Sequence, residues 1–575
     1  MRLHSATCGD TRLHVGRHSG IFLLDPLLKE LDSHGHYCQA FADDVVLIIS
    51  GKTTSEVQTE ANVALERVRR WGVRNKLKFA PHKTKAMVIT NKLKYDTPLL
   101  AMGGVNIAPS RDIKILGLTV DDKLTFSSHA SNVCRKATNL YKQLSRAAKI
   151  HWGLEPEVIR TIYTAVVEPV VMYAAGAWAP ATNKLGIQKL LNAVQRGFVQ
   201  KILKAYRTVS LNSALVLAGL LPLDIRIREA ASLFEAKKGY SRRMIGDGEL
   251  ERPLAAVDVV HPVEQTGTEY SCLAEGGEKS QSSNEGLKIF TDGSKIEGKV
   301  GAALSIWTDG AETRNRKFKL ANFCTVYQAE LLALSEAVEH SLRSAVSNCS
   351  IFSDSRAALD TVASGVSLHP LAVTIRKNLA IAKEQRKLIR FFWVKAHVGL
   401  EGNERADQLA KDAALKLKTK PIYDMCPVSF VKRQIRMESL DEWNRRYVRG
   451  ETASTTKTFL PDAIEAYHAV RKIEFDAVLV QVMTGHGGFS EYLNRFKCKE
   501  SPSCVCDPEV SESVLHLVAE CPVYCKERND MEMELEMEIN VENIHKIVKN
   551  KDFRQKFLNF CVKIAKIAIN KNKST

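Results

Sequence analysis

The chain has 575 residues, enough for three or four domains of roughly 150 residues each. Hydrophobic residues make up 45% and charged residues 26%, a composition that excludes disorder along the whole chain. The excess of 82 Lys and Arg over 65 Asp and Glu gives a formal charge of +17, which favours a polyanion or an anionic surface as partner. No window supplies the roughly 20 uninterrupted apolar residues of a membrane span, and residues 1–10 lack the apolar core of a secretion signal.

Changes in composition and periodicity divide the chain into seven segments, and their mixed patterns predict an α/β multidomain protein. The segments are 1–120 (short strands and helices), 121–240 (mostly helical, with basic faces), 241–286 (a Gly/Ser-rich flexible linker), 287–418 (three strands, then alternating helices and strands), 419–483 (a connection), 484–525 (a Cys/His cluster) and 526–575 (a charged helical tail).

Two apolar strands in the fourth segment end in an aspartate. Asp292 follows Ile-Phe-Thr, and Asp354 follows Ile-Phe-Ser. A carboxylate at the end of an apolar strand requires a partner, because a buried unpaired charge is strongly disfavoured. The alternative interpretations are a turn residue before Gly293 for Asp292 and the N-cap of the next helix for Asp354.

Two further acids lie on predicted helices. Glu330 falls on the apolar stripe with Val326 and Leu334, where acids are unusual. Asp407 is expected in the first turn of a helix capped by Asn403, and stabilisation by the helix dipole is the alternative role. Four converging carboxylates repel one another unless a divalent cation is present. Mg²⁺ prefers oxygen ligands, and two such ions about 4 Å apart can promote phosphodiester hydrolysis.

These residues and their order along the chain resemble type I ribonuclease H. The motifs that carry the resemblance are residues 291–294 (Thr-Asp-Gly-Ser), 327–334 (Tyr-Gln-Ala-Glu-Leu-Leu-Ala-Leu), 353–355 (Ser-Asp-Ser), 393–397 (Trp-Val-Lys-Ala-His) and 402–407 (Gly-Asn-Glu-Arg-Ala-Asp). The resemblance implies a mixed five-stranded sheet with helices packed on it, in which strands one and four are neighbours. A hairpin at Asp309-Gly310 is expected between strands two and three.

The resemblance also implies hydrolysis of the RNA strand of RNA–DNA hybrids. His397, on the loop after the last strand, would assist proton transfer or product release. Two Mg²⁺ or Mn²⁺ ions would be held by Asp292, Glu330, Asp354 and Asp407.

Discrimination between RNA and DNA requires contacts to the 2′-hydroxyl group. Residues beside the metal ligands are candidates for these contacts, and a solvated surface role is the alternative for each. The candidates are Gly293, Ser294, Arg356 and Asn403.

An acidic pair, Asp43-Asp44, lies between two apolar runs in the first segment. A surface turn is the alternative, but Phe-Ala-Asp-Asp in this setting resembles the metal-binding motif in the palm of reverse transcriptases from non-LTR retrotransposons. The resemblance extends over residues 16–205 and implies a partial α+β palm followed by a helical thumb. Polymerisation with two metals also requires an aspartate from an earlier palm strand, so we expect the chain to be part of a larger polyprotein.

Thirteen cysteines are scattered along the chain without the pattern of a disulfide framework. Cys504, Cys506, His516 and Cys521 supply three sulfurs and one imidazole, a set that suits a tetrahedral structural zinc ion. Incidental cysteines in a reduced chain are the alternative. The spacing resembles the zinc knuckle that follows the enzymatic domains of these retrotransposons, which implies binding of single-stranded nucleic acid. Cys498 and Cys525 are spare thiols. The predicted ligands are Cys504, Cys506, His516 and Cys521.

The leading hypothesis is a hybrid-cleaving nuclease inside a retrotransposon polyprotein, with nucleic acid and no membrane as partner and with a nuclear or cytoplasmic location implied by the resemblance. One alternative is a non-catalytic nucleic-acid-binding remnant of a decayed retroelement. A cellular ribonuclease H with long extensions is a second alternative, which the acidic pair and the Cys/His cluster disfavour.

We expect the purified 575-residue chain to lack DNA polymerase activity, because the second metal-binding palm strand is missing from the sequence pattern. The measurement is incorporation of labelled nucleotides on a primed RNA template with Mg²⁺. Incorporation that depends on the template and is lost on Asp43→Asn would contradict this expectation.

Overall fold

The computed structural model describes residues 2–4, 19–41, 44–147, 154–239, 248–260, 268–273 and 286–574. The chain forms two compact units, of which the first is discontinuous. The first comprises Met1–Ala231 and Ser439–Thr575, and the second comprises Ser232–Glu438. Both units contain helices and strands, so the α/β multidomain class is confirmed.

The second unit is built on a mixed sheet. Its strands are β1 (Tyr270–Cys272), β2 (Leu287–Ile296), β3 (Lys299–Thr308), β4 (Ala311–Leu320), β5 (Asn348–Ser353) and β6 (Leu388–Trp393), in the order β4-β3-β2-β5-β6-β1. The strands β2, β3 and β4 form an antiparallel meander, and β5 pairs in parallel with both β2 and β6. Thr291 lies opposite Ser353 across the β2–β5 pair, which confirms that the first and fourth strands of the predicted sheet are neighbours.

The sheet has a sixth strand that the sequence did not predict. Residues 241–286 were expected to form a flexible linker, but β1 pairs in parallel with β6 along three residues. The outer edge of β6 offers unpaired backbone groups, and a short extended segment satisfies them. The expectation is therefore corrected for residues 270–272, while 241–247, 261–267 and 274–285 lie outside the described residues.

The predicted hairpin between β3 and β4 is confirmed. Asp309 and Gly310 have φ angles of 51° and 81°, and both belong to the left-handed region. A two-residue turn of this kind needs positive φ at both central positions, where Asp-Gly is a favoured pair.

Helices cover both faces of the sheet. They are α1 (Val326–Arg343), α2 (Arg356–Ala363), α3 (Pro370–Glu384) and α4 (Glu401–Lys416). A capping box between Thr325 and Gln328 begins α1. On the other face α4 lies so close to β3 that a Cβ atom on Gly301 would be 2.4 Å from the backbone nitrogen of Ala414. This second face is apolar: Phe290 of β2 stacks on Phe352 of β5, which stacks in turn on Phe392 of β6.

The first unit begins with a four-stranded sheet. Its strands, in spatial order, are Tyr37–Phe41, Asp44–Ser50, Arg2–His4 and Met87–Ile89. The helices Ser19–Asp32 and Thr54–Arg74 contribute buried leucines and valines to the same core as the sheet. Two short hairpins follow, Leu100–Met102 with Val105–Ile107 and Asp112–Ile115 with Leu118–Asp121.

The rest of the first unit is mostly helical, with an antiparallel strand pair, Ser503–Cys504 and Asp507–Ser511. One hydrophobic core joins residues from 130–231 with residues from 440–569, so the predicted thumb, Cys/His segment and charged tail share a core. The terminal helix buries Phe557, Leu558 and Cys561 on its apolar face. The α-helices from residue 127 onward, other than α1–α4, are Ser127–Ala147, Pro156–Ile162, Glu168–Met172, Ala175–Trp178, Leu185–Ile202, Leu211–Ala218, Leu223–Lys238, Val428–Arg449, Ser454–Phe459, Ala463–Ala469, Ala477–Thr484, Ser490–Arg495, Cys525–Leu535, Ile544–Lys549 and Lys551–Ser574.

Among the described residues, a single helix with the length and apolar composition of a membrane span is not found. The segments Pro156–Met172 and Ala175–Asn183, bent by 51° at their junction, meet the criteria only as a pair. Tyr163 in the first segment and Trp178 in the second are fully buried in the helical core.

Candidate active site and metal centres

Asp292 and Asp354 come from neighbouring parallel strands. Asp292 lies inside β2, which continues to Ile296, and it pairs with Ala303 of β3. The expectation that the strand ends at Asp292, and the alternative of a turn residue, are therefore wrong. Asp354 follows the last residue of β5, and Ser355 occupies the N-cap of α2, so Asp354 is not the N-cap.

Glu330 reaches the two aspartates because α1 packs directly on β2. A Cβ atom on Gly293 would lie 2.6 Å from the backbone nitrogen of Glu330, so this approach requires glycine. Each of the three acids places a carboxylate oxygen within 4.8 Å of the other two. The apolar position of Glu330 on its helix marked it as unusual in the sequence, and the resemblance to ribonuclease H implied that the acids converge.

Burial and mutual repulsion dominate the electrostatics of this acidic cluster. Burial, followed by the charges of Asp354 and Asp407, raises the pKa of Asp292 to about 7. Burial and then the charges of Asp292 and Asp354 raise the pKa of Glu330 well above its usual range. One oxygen of Asp292 (Oδ2) and one of Glu330 (Oε2) are buried without a hydrogen-bond partner. Such a site favours a bound cation, because carboxylate oxygens without partners are costly in a protein interior.

Asp407 lies near the cluster but outside the group of three oxygens. Its Oδ2 atom accepts a hydrogen bond of 2.6 Å from Lys411 Nζ, one turn further along α4. Its charge nevertheless contributes to the raised pKa values of both Asp292 and Glu330. The helix begins at Glu401 after an N-cap at Leu400, so Asp407 is in the second turn.

Asn403 is a positioning residue in the structure and not a helix cap. It lies inside the first turn of α4, and its side chain is buried. Its Nδ2 atom donates a hydrogen bond of 3.4 Å to Asp354 Oδ2, while its Oδ1 atom is buried without a partner. The indole Nε1 of Trp393 donates to the backbone oxygen of Asp354 at 3.0 Å. Trp393 was not among the predicted site residues, although it belongs to the motif at 393–397 that carries the resemblance.

The remaining candidates of this unit lie around the acids at different depths. His397 is exposed on the loop between β6 and α4 with φ 58°, and its charge opposes the rise in the pKa of Asp354 that burial causes. Arg356 is exposed at the start of α2, Ser294 is half-buried, and Gly293 is buried beneath α1. Of the four predicted nucleic-acid contacts, Arg356 and Ser294 are therefore the accessible ones.

The predicted zinc ligands are brought together. One donor atom from each of the four residues lies within 4.8 Å of the others. Cys504 Sγ is 3.8 Å from Cys521 Sγ, and Cys506 Sγ is 3.2 Å from His516 Nε2. Glu520 Oε2 lies 3.3 Å from His516 Nδ1, which leaves Nε2 directed toward the sulfurs.

The Cys/His cluster is part of the helical core and not a free surface module. Cys504, His516 and Cys521 are buried and Cys506 is half-buried, whereas Cys498 and Cys525 are exposed and do not belong to the cluster.

Of the predicted acidic pair in the first unit, the described residues include Asp44 alone. Asp44 begins the strand Asp44–Ser50, which pairs with Tyr37–Phe41 in the predicted hairpin. Asp43 lies outside the described residues.

Two family models match the chain. Residues 284–415 match the model for RNase H, and residues 20–120 match the model for reverse transcriptase (RNA-dependent DNA polymerase). The strand order, the neighbouring aspartates and the first match define the second unit as an RNase H domain.

Curated relatives of the chain include longer proteins of retrotransposable elements. The chain is 29% identical over 220 residues to a 115 kDa protein of the type-1 retrotransposable element R1DM of Drosophila melanogaster, with 38% of this chain and 21% of the relative covered. It is 28% identical over 228 residues to a retrovirus-related Pol polyprotein from a type-1 retrotransposable element R1 of Nasonia vitripennis, with 38% and 54% covered. The chain is therefore related to the Pol polyproteins of non-LTR retrotransposons, and it spans at most about half the length of these two relatives.

Solved structures with a similar local fold include RNase H proteins. The N-terminal RNase H domain of a Mycobacterium tuberculosis protein matches with 20% identity and a TM-score of 0.19, covering 22% of this chain and 98% of that chain. LC11-RNase H1 in complex with RNA/DNA hybrid matches with 21% identity and a TM-score of 0.19, covering 22% and 96%.

The raised pKa of Asp292 predicts a pH-dependent stability in the absence of added divalent cations. The unfolded-state pKa is about 3.9, so the folded state holds this proton more tightly and stability is lost as pH rises through about 7. Relative to the unmodified protein, we expect Asp292→Asn to raise the free energy of unfolding by up to about 4 kcal/mol at pH 8 and by almost nothing at pH 4. Urea unfolding of both proteins at the two pH values is the measurement, and parallel pH profiles would contradict the prediction.

Proposed function

We propose that the RNase H domain hydrolyses the RNA strand of RNA–DNA hybrids with divalent metal ions. The observation that carries the proposal is the buried group of three carboxylates from β2, α1 and β5. Two of these carboxylates have an oxygen without a partner. An inert core would not retain such a group, since a buried charge without compensation costs several kcal/mol.

The donor set fits magnesium or manganese. All of the donors are carboxylate oxygens, which hard divalent cations prefer. Asp292, Glu330 and Asp354 would hold the ions, and Asp407 would join them when its carboxylate exchanges Lys411 for metal. Bound in a pair, such ions activate water and stabilise the leaving oxygen of a phosphodiester.

The protein residues supply orientation and proton transfer. Asn403 donates a hydrogen bond to the side chain of Asp354, and Trp393 donates one to its backbone oxygen. Together they hold the Asp354 carboxylate in a fixed orientation. His397 is exposed on the loop beside Asp354, where its imidazole can accept or return a proton near the reacting phosphate. Its exposure also suits a role in product release.

The substrate would contact the accessible side of the acidic cluster. Arg356 suits a phosphate contact, and the hydroxyl of Ser294 suits a contact to the 2′-hydroxyl, which distinguishes RNA from DNA. The relatives are polyproteins of retrotransposons, so the hybrid would be the product of reverse transcription. Retention of all four acids counts against the alternative, a non-catalytic remnant.

We further propose that the Cys/His cluster holds a structural zinc ion. Three sulfurs and one imidazole are a tetrahedral structural set, and burial in the helical core favours a stabilising role. Glu520 would keep the His516 ring in the orientation that presents Nε2 to the metal.

Asp292→Asn is expected to reduce Mg²⁺-dependent cleavage of a labelled RNA–DNA hybrid at least about a hundredfold, because it removes one charged ligand oxygen from the acidic cluster. Hybrid binding should stay within about twofold, since Asp292 is buried and the proposed duplex contacts of Arg356 and Ser294 are unchanged. Gel assays with and without Mg²⁺ and a binding titration supply the two measurements.

The matched control is Asp309→Asn, because Asp309 is exposed in the β3–β4 turn and asparagine tolerates its positive φ. Its cleavage rate should equal that of the unmodified protein. Full cleavage by the Asp292 variant would remove the basis for the proposed mechanism.

Replacing Cys504 and His516 together with Ser and Ala is expected to abolish zinc binding and to destabilise the first unit by several kcal/mol, because the ligands are buried in its core. Metal analysis of the purified chain and thermal unfolding are the measurements. The control is Cys498→Ser, which replaces an exposed thiol outside the cluster. Unchanged zinc content in the double variant would rule out this site.

A further inference from the structure

An exposed group of aromatic rings lies in the first unit and includes none of the proposed metal ligands. This aromatic platform consists of Tyr206, His486, Tyr492 and Phe496. The Tyr492 ring is central, with its centroid 5.9 Å from that of Tyr206, 5.1 Å from His486 and 4.8 Å from Phe496. The rings come from two chain segments separated by almost 280 residues, 206–208 and 486–496, so the fold assembles them.

Hydrogen bonds hold the central rings in place. Thr208 Oγ1 lies 2.7 Å from the Tyr492 hydroxyl and 2.9 Å from His486 Nδ1, so one hydroxyl links both rings. His486 follows Gly485, whose φ of 70° ends the helix Ala477–Thr484 in a left-handed cap. The platform is thus a fixed surface, and its central rings lose little freedom on ligand binding.

The two outer rings are open to solvent. Tyr206 and Phe496 each expose 44% of their surface, whereas rings of the helical core such as Phe489 are buried. Rings that only brace two loops would be covered, since each large ring gains more free energy by full burial. Exposed ring faces on a rigid support are suited to stacking by a flat partner.

The flanking charges indicate the chemistry of that partner. Lys204, Arg207, Arg495 and Lys497 are exposed beside the rings in the sequence, and none has an ion pair in the described part of the chain. The Arg495 guanidinium lies 5.9 Å from the Phe496 ring centroid. Of the exposed charged residues within three sequence positions of the rings, four are basic and one, Glu491, is acidic. Aromatic faces flanked by cations match the flat bases and anionic phosphates of a nucleic acid.

We propose that the aromatic platform binds single-stranded nucleic acid by stacking unpaired bases on Tyr206 and Phe496. A duplex cannot use these faces, because its bases are already stacked and paired. The flanking lysines and arginines contact the phosphates, which makes the interaction salt-dependent but tolerant of sequence. This site is separate from the RNase H domain and does not depend on its activity.

The test is fluorescence anisotropy with the full chain and labelled strands of about 16 nucleotides, a length within the range of known single-strand sites. One arm uses oligothymidylate, another uses oligouridylate, and a third uses a duplex of the same length. The Tyr206→Ser/Phe496→Ser double variant should bind the single strands about tenfold more weakly or worse. Its duplex affinity should stay within about twofold. The DNA and RNA arms show which strand the platform prefers.

Two further variants keep the result interpretable if the double variant is unstable. The Tyr206→Phe/Phe496→Tyr variant keeps both ring faces and should bind single strands as the unmodified chain does. Phe234→Ser replaces an equally exposed ring (47%) elsewhere and should also leave binding unchanged. Equal affinity of the double serine variant and the unmodified chain would overturn the proposal. A change in self-association in place of strand binding would also overturn it and would assign the rings to a contact between copies.

Discussion

The central constraint on the RNase H domain is the mutual repulsion of three carboxylates that its fold brings together. Parallel pairing of β2 with β5 fixes Asp292 beside Asp354, and the close packing of α1 on Gly293 adds Glu330. The backbone pairing of the sheet and the apolar faces on both sides must outweigh this repulsion when no cation is bound. The hydrophobic core therefore sets the geometry of the site, and the charge cluster lowers the stability of the folded domain.

The sequence predicted the parts of the site that local pattern determines. Glu330 was recognised because an acid on an apolar helical stripe is out of place, and the hairpin was recognised because Asp-Gly tolerates positive φ. The pairing of Asp407 with Lys411 also had a signal, since i and i+4 side chains are neighbours on a helix. The sequence placed the start of α4 too late, because Asn403 is a residue type that often caps helices. The helix begins at Glu401, and tertiary packing buries Asn403 against Asp354.

Other features were not predictable from local pattern. The strand β1 is three residues long and lies in a segment without periodicity, so only the unpaired edge of β6 defines it. The shared core of residues 130–231 and 440–569 rests on contacts between residues hundreds of positions apart, which composition does not reveal. The Cys/His cluster was recognised by its spacing, but its burial follows from these contacts between segments that are far apart in the sequence.

The discontinuity of the first unit has a consequence for biosynthesis. Residues 130–231 leave the ribosome with much of their apolar surface uncovered, because their packing partners are made more than 200 residues later. The intervening RNase H domain is contiguous and has all of its own sheet available before then. Translation thus completes the RNase H domain first, and the helices of residues 130–231 stay partly uncovered until residues 440–569 have been made.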